Sequence, residues 1–162
     1  MVIKILITGG TFDKEYDEIT GNLYFKDTHI KEILDLGRSK VEVKIEKVML
    51  IDSLEMKKSH RELILKKCLQ SKENKIIITH GTDTMTKTGE IIAHGNLKKT
   101  IVLTGAMIPY KFGSSDGLFN LGGAIAYVQS LEEGVYIAMN GKCFKWDEVR
   151  KNLKTGVFEY RA

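Results

Sequence analysis

The decapeptide IIITHGTDTM, Ile76 to Met85, runs without transition from three β-branched apolar residues into hydroxyls, an imidazole and a carboxylate. Residues that are apolar on both sides of the pleat belong to a strand covered on both faces, as in a parallel sheet held between helices. In such sheets ligands gather beyond the carboxyl ends of the strands, where loops present side chains and helices present free N–H groups. Thr79 to Thr84 stand at that end. The same residues also suit a turn at Gly81 and a cap for the next helix, so the stretch needs a partner before it can mean chemistry.

Val2 to Ile7 is a second apolar run, and it stops in Thr8-Gly9-Gly10-Thr11. Adjacent glycines let the backbone approach a neighbour closely or take positive φ, which presents Thr11 on a tight turn. A phosphate loop is excluded, because no G-x-x-x-x-G-K-[ST] occurs and Gly9-Gly10 does not extend to G-x-G-x-x-G. Two further runs end alike: Met49 to Ile51 drops into Asp52-Ser53, and Thr100 to Leu103 into Thr104-Gly105-Ala106. Ser53 either caps the helix that follows, running to about Leu69, or touches a ligand. Val41 to Val48 alternates as a half-exposed edge strand, and Val135 to Met139 reads as a fully apolar one.

Helices are expected from His29 to Leu36, with Thr28 as cap and Gly37 past the end, and from Thr86 to His94. Another carries Leu118, Leu121, Ile125 and Val128 in steps of three and four behind Ser115 or Asp116 as cap. Phe12 to Phe25, with a turn at Thr20-Gly21-Asn22, reads as a hairpin or flap over the strand ends. The tail carries a short helix around Asp147 to Leu153. This alternation predicts an α/β fold, a three-layer α/β/α arrangement around a mainly parallel sheet.

The chain of 162 residues, 43% hydrophobic and 28% charged, suits one domain over 1–162 rather than a disordered or fibrous protein. Its net charge of +4 is mild. Lys57, Lys58, Arg61, Lys66, Lys67, Lys72 and Lys75 read as the solvated face of a helix whose apolar stripe is Ile64, Leu65, Cys68 and Leu69, so no nucleic-acid partner is expected. Cys68 and Cys143 stand in no C-x-x-C pattern and read as small buried hydrophobes. His29, His60, His80 and His94 have no metal-ligand spacing, and neither a metal nor a cofactor is expected. No apolar run approaches the roughly 20 residues that cross a membrane, and the cytoplasm is the expected compartment.

A threonine hydroxyl attacks only if its proton passes to a base or to a relay ending in one. Tyr16 on the flap, Asp83 beside Thr82, and Lys151 in the polar tail are the candidates for Thr11.

Thr8-Gly9-Gly10-Thr11 followed by His80-Gly81-Thr82-Asp83-Thr84-Met85 resembles the L-asparaginase/glutaminase family of threonine amidohydrolases, whose N-terminal domain carries both motifs in this order. Thr104-Gly105-Ala106-Met107 with Pro109, Ser115-Asp116-Gly117, Phe119-Asn120-Leu121, Gly134 to Asn140 and Val149-Arg150-Lys151 continue the likeness along the chain. The resemblance implies a flavodoxin-like sheet with one left-handed crossover. It implies that Thr11 attacks the side-chain amide of L-asparagine to form a β-aspartyl enzyme, with Thr82, Asp83 and Lys151 as the second catalytic group. Tyr16 would help activate Thr11, with Tyr24 as the other candidate on the flap. Asp83 and Ser53 would hold the substrate's ammonium and carboxylate, Gly10, Gly81 and Ala106 would line its site, and backbone N–H groups near Gly10 and Thr82 would form the oxyanion hole. The family's second domain does not follow in these residues, Leu54 stands in place of a glutamine and Ile108 in place of an arginine. A site at strand ends with one flap calls for a cover, so a homodimer or homotetramer is expected. A non-catalytic amino-acid-binding or regulatory module and an amidohydrolase component of an amidotransferase complex are the alternatives, and asparagine is not ranked against glutamine.

Overall fold

The computed structural model describes residues 1–162. Five parallel strands, β1 (Ile3–Gly9), β4 (Val43–Ile51), β5 (Lys75–Thr79), β6 (Thr100–Thr104) and β7 (Gly134–Met139), and an antiparallel edge strand β8 (Lys142–Lys145) form one sheet in the order β4-β1-β5-β6-β7-β8. A hairpin of β2 (Lys14–Tyr16) and β3 (Leu23–Phe25) is the expected flap, with Gly21 supplying a φ of 73° at its turn. Four helices connect the strands: α1 (Ile30–Leu36), α2 (Lys58–Gln70), α3 (Met85–His94) and α4 (Gly117–Ser130). None is long and apolar enough to cross a membrane.

The sheet divides the core in two, and the period-2 alternation of each strand explains why the central strands read as unbroken apolar runs. Ile3, Ile5, Ile7, Ile77, Val102 and Ala138 face α1 and α4. Leu6, Ile76, Ile78, Ile101, Leu103 and Ile137 face α2 and α3. This distribution fixes the relative hand of the crossovers. The chain steps in the same direction from β5 to β6 and from β6 to β7, yet α3 and α4 cover opposite faces, so these two connections have opposite hands. The connections through α1 and α2 share the hand of α3. Crossovers are almost always right-handed, which leaves the α4 connection as the left-handed one.

The tail departs from expectation. Residues 147–153 form no helix; β9 (Val149–Lys151) pairs antiparallel with β10 (Phe158–Tyr160), and Gly156 takes the φ of 74° that the turn needs. Val149 and Phe158 are fully buried against the α2/α3 face, which a seven-residue helix in this place could not achieve together. After α1 the left-handed residue is Arg38 rather than Gly37; Gly37 is small because a Cβ there would meet the Leu118 side chain at 3.1 Å. Asp116 sits at the N-cap position of α4, but its carboxylate accepts from the backbone N–H groups of Met107 and Ile108, while the Ser115 hydroxyl accepts from Gly117 N–H.

Ile77 is at the centre of this arrangement and fully buried. Truncation to alanine is expected to cost about 2–5 kcal/mol, whereas Ile45→Ala on the half-exposed edge strand should cost less than about 1 kcal/mol. Urea midpoints of the two variants beside the wild type check the difference.

Candidate active site

Glycine backbone makes the strand ends converge. Gly9 and Gly10 have φ of 104° and 82°. A Cβ on Gly9 would fall 2.5 Å from Ile51 N, at the end of β4, and one on Gly10 would fall closer still to Gly81 N, at the end of β5. Only hydrogen fits on either side. The doublet is therefore wedged between the two neighbouring strands, and the next residue, Thr11, follows half-buried at the start of a 3-10 turn (Thr11–Asp13). Gly105 repeats the device on the other side of β5, where a Cβ would collide with the His80 carbonyl oxygen.

Lys151 enters from the far end of the chain. Its side chain is 11% exposed, and its Nζ donates to Thr82 Oγ1 at 2.8 Å and to Asp83 Oδ1 at 2.6 Å. Lys151 thus touches both side chains, and Gly10, the residue before Thr11, abuts Gly81, the residue before Thr82. Ser53 is buried, and its Oγ has no protein hydrogen-bond partner; it presses on Gly81, where a Cβ would lie 2.5 Å away. Ala106 is buried in the same region, and Leu54 is exposed at its rim.

Tyr16 stands apart from this cluster. It is 56% exposed, its ring meets Phe112 edge-on at 6.3 Å, and its hydroxyl lies toward Gly21 at the hairpin turn. Tyr24 pairs across from Glu15 and so occupies the opposite face of the hairpin, also exposed.

Several groups that hold the site escaped the sequence reading. Lys14 on the flap donates to Asp52 at 2.5 Å, and this contact holds the Asp52 carboxyl below the usual carboxylate range; Asp52 also accepts from Leu54 N–H, so it caps the 3-10 turn Ser53–Glu55. Asn120 donates to the Gly105 carbonyl and accepts from Asn140 N–H, and Asn140 accepts from Phe158 N–H. That chain of amides connects the β6 loop to the hairpin carrying Lys151. Thr84 was a candidate cap for α3, but its hydroxyl donates to the Ser53 carbonyl instead. Arg61, expected on a solvated helix face, is buried and donates to Thr84 Oγ1 and to the Met56 carbonyl. Burial pushes the thiols of Cys68 and Cys143 up to about 12 and about 11, which keeps both protonated near neutrality. A surface cavity of about 460 Å³ lies elsewhere, between Glu32, Leu36, Tyr110 and Leu118.

The family model for the N-terminal domain of asparaginase matches residues 2–159. The chain belongs to the asparaginase family. L-asparaginase 2 of Escherichia coli is 31% identical over 174 residues, covering 99% of this chain and 49% of that protein. The solved structure of a probable cytoplasmic L-asparaginase from Campylobacter jejuni superposes with a TM-score of 0.81 at 30% identity, covering 98% of this chain and 52% of the other. A glutamyl-tRNA(Gln) amidotransferase component of Methanococcus vannielii is 30% identical and covers 96% of this chain and 37% of that protein. The asparaginase-family chain therefore spans about half or less of the length of these relatives.

His80, which opens the stretch His80 to Met85, is fully buried. A carbonyl can only accept, so Nδ1–H donates to the Gly81 oxygen at 2.8 Å, and in the neutral ring, which burial favours, Nε2 accepts from the Thr88 hydroxyl at 2.7 Å. Burial brings its pKa down from 6.5 to about 4. Between those values the unfolded chain binds a proton that the folded chain refuses, so stability falls as pH drops from about 6.5 to about 4. The loss should approach about 3 kcal/mol. Denaturant titrations at stepped pH are expected to show this slope in the wild type and its absence in His80→Gln.

Proposed function

We propose that this chain is an amidohydrolase acting on the side-chain amide of L-asparagine, with Thr11 as nucleophile. The contact of Lys151 Nζ with both Thr82 Oγ1 and Asp83 Oδ1 supports the reading, because it joins a hydroxyl, an ammonium and a carboxylate at the strand end that Gly10, the neighbour of Thr11, abuts. In the first half-reaction the Thr11 oxygen bonds to the amide carbon and its proton passes into the Thr82–Lys151–Asp83 relay. Backbone N–H groups near Gly10 and Thr82 hold the oxyanion, the C–N bond breaks, and the nitrogen leaves as ammonia after taking a proton from the relay. In the second, water adds to the β-aspartyl ester while the relay takes its proton; the ester C–O bond breaks and Thr11 regains its hydroxyl. Ser53, whose buried Oγ has no protein partner, and Asp83 bind the substrate's carboxylate and ammonium. Tyr16 assists from the flap by turning inward from its exposed position. The chain needs no metal or cofactor for this chemistry.

Leu54, Met107, Ile108 and Phe112 are 71%, 41%, 42% and 52% exposed. Such an apolar rim supports a homodimer or homotetramer in which a neighbouring copy covers the crevice. The likeness to a probable cytoplasmic L-asparaginase supports a cytoplasmic setting. A second reading, in which this chain feeds ammonia to a partner in an amidotransferase complex, draws on the amidotransferase relative, which aligns over 96% of the chain.

Ammonia release from L-asparagine and from L-glutamine tests the proposal. Lys151→Met is expected to lower kcat by about 10²–10⁴-fold, and Thr11→Ala to abolish turnover. A wild type no faster than Thr11→Ala would overturn it.

A further inference from the structure

Arg61 is the charged group in this molecule that the proposed chemistry leaves unused and the fold least explains. It sits one turn before Ile64 and two before Cys68, and with them it forms the buried face of α2. A core position of this kind ordinarily takes an apolar residue. Arg61 is 7% exposed, and no ion pair in the structure includes it. Its partners are neutral oxygens: Nη1 donates to the Met56 carbonyl and Nη2 to Thr84 Oγ1, each at 2.7 Å, while Nε is buried with no partner. Burial lowers its pKa from the ordinary guanidinium value. A buried cation without a carboxylate costs free energy, so its presence needs a return other than stability.

The return lies in what the two bonds hold. With Nη2–H directed at its oxygen, the Thr84 hydroxyl has its own proton free to point elsewhere, and it donates to the Ser53 carbonyl at 2.8 Å. The fork of one guanidinium therefore grips the 3-10 turn Ser53–Glu55 at both ends, through Met56 directly and through Ser53 by way of Thr84. It also ties that turn to the Thr82–Asp83 loop, since Thr84 is the next residue. The alternative use of Thr84, capping α3, is given up for this purpose. A lysine could reach one of the two oxygens but could not present two donors in a fixed plane.

We propose that Arg61 is a positioning residue for substrate capture: through Thr84 it sets the backbone of the turn that aims the Ser53 hydroxyl at the crevice. The assignment rests on the proposed amidohydrolase reading only for its kinetic consequence. Arg61→Met is expected to raise KM for L-asparagine about tenfold or more while changing kcat less than about threefold, with Arg61→Lys intermediate. Amide hydrogen exchange at Glu55 and Met56, whose N–H groups bond within the turn, should quicken about tenfold or more in Arg61→Met. Thr84→Val, which leaves the Arg61–Met56 bond in place, should reproduce much of both effects, and the double variant should be no worse than the worse single one.

Unchanged exchange in the turn, or additive effects of the two substitutions, would overturn the proposal. So would a lowered melting temperature with KM unaltered, which is the mark of a merely structural residue. If the wild type releases no ammonia, the amidohydrolase reading fails, while exchange and coupling still decide the role of Arg61. If Arg61→Met does not fold, Thr84→Val and Arg61→Lys carry the test.

Discussion

The closeness of backbone to backbone at the ends of β4, β1 and β5 is the constraint on which the rest depends. Gly9 and Gly10 pass so near Ile51 and Gly81 that neither could carry a side chain, and both take φ values that favour glycine. Everything polar in the crevice is placed by this wedge. It delivers Thr11 on one side, seats Ser53 against Gly81 on the other, and leaves the loop Thr82–Thr84 as the floor. Hydrogen bonds then complete what sterics begin: Thr8 donates to the Thr79 carbonyl at 2.7 Å, and His80 N–H donates to the Thr104 carbonyl.

Around that wedge, charge and hydroxyl groups are used for restraint as much as for chemistry. The flap is fastened at its base by Lys14 on Asp52 and by Asp13, which accepts from His29 N–H and the Thr28 hydroxyl. Burial raises the Asp13 carboxyl above its ordinary value, so these bonds hold it against its environment. At the opposite end of the sheet, Lys75 and Lys99 reach carbonyls at the ends of α4 and α2, where positive charge suits the helix C-terminus. Lys67 is likewise tied to Glu46. These lysines, which inflate the net charge near α2, are therefore fastenings, not a field for a distant partner.

Composition and period made the sheet legible before any coordinates. Ile76 to Ile78 and Ile101 to Leu103 are apolar on both faces because both faces are covered, and the polar break after each locates the crevice. The glycine doublet was equally readable, since few turns need two such residues. What stayed hidden depends on three-dimensional pairing. Nothing local distinguishes the strand at Val149–Lys151 from a short helix; its character is set by Phe158 and the Gly156 turn nine and fewer residues away. Arg61 sits among lysines and shares their polarity, so a face count assigns it to solvent, and only the position of Thr84 across the core gives it a partner. Asp116 obeys the capping pattern in sequence but finds stronger donors in Met107 and Ile108.

The ammonium at the heart of the site is carried by a two-stranded hairpin that makes no ladder with the six-stranded sheet. It is docked by the side chains of Val149 and Phe158, by the Phe144–Tyr160 ring contact and by the amide of Asn140. Such an appendage can lift away at a smaller free-energy cost than the sheet needs to come apart. Heat or mild denaturant would then part Lys151 from Thr82 and Asp83 while the spectroscopic signature of the sheet still reads as folded, and the gap between the two midpoints would measure how firmly this small arm is moored.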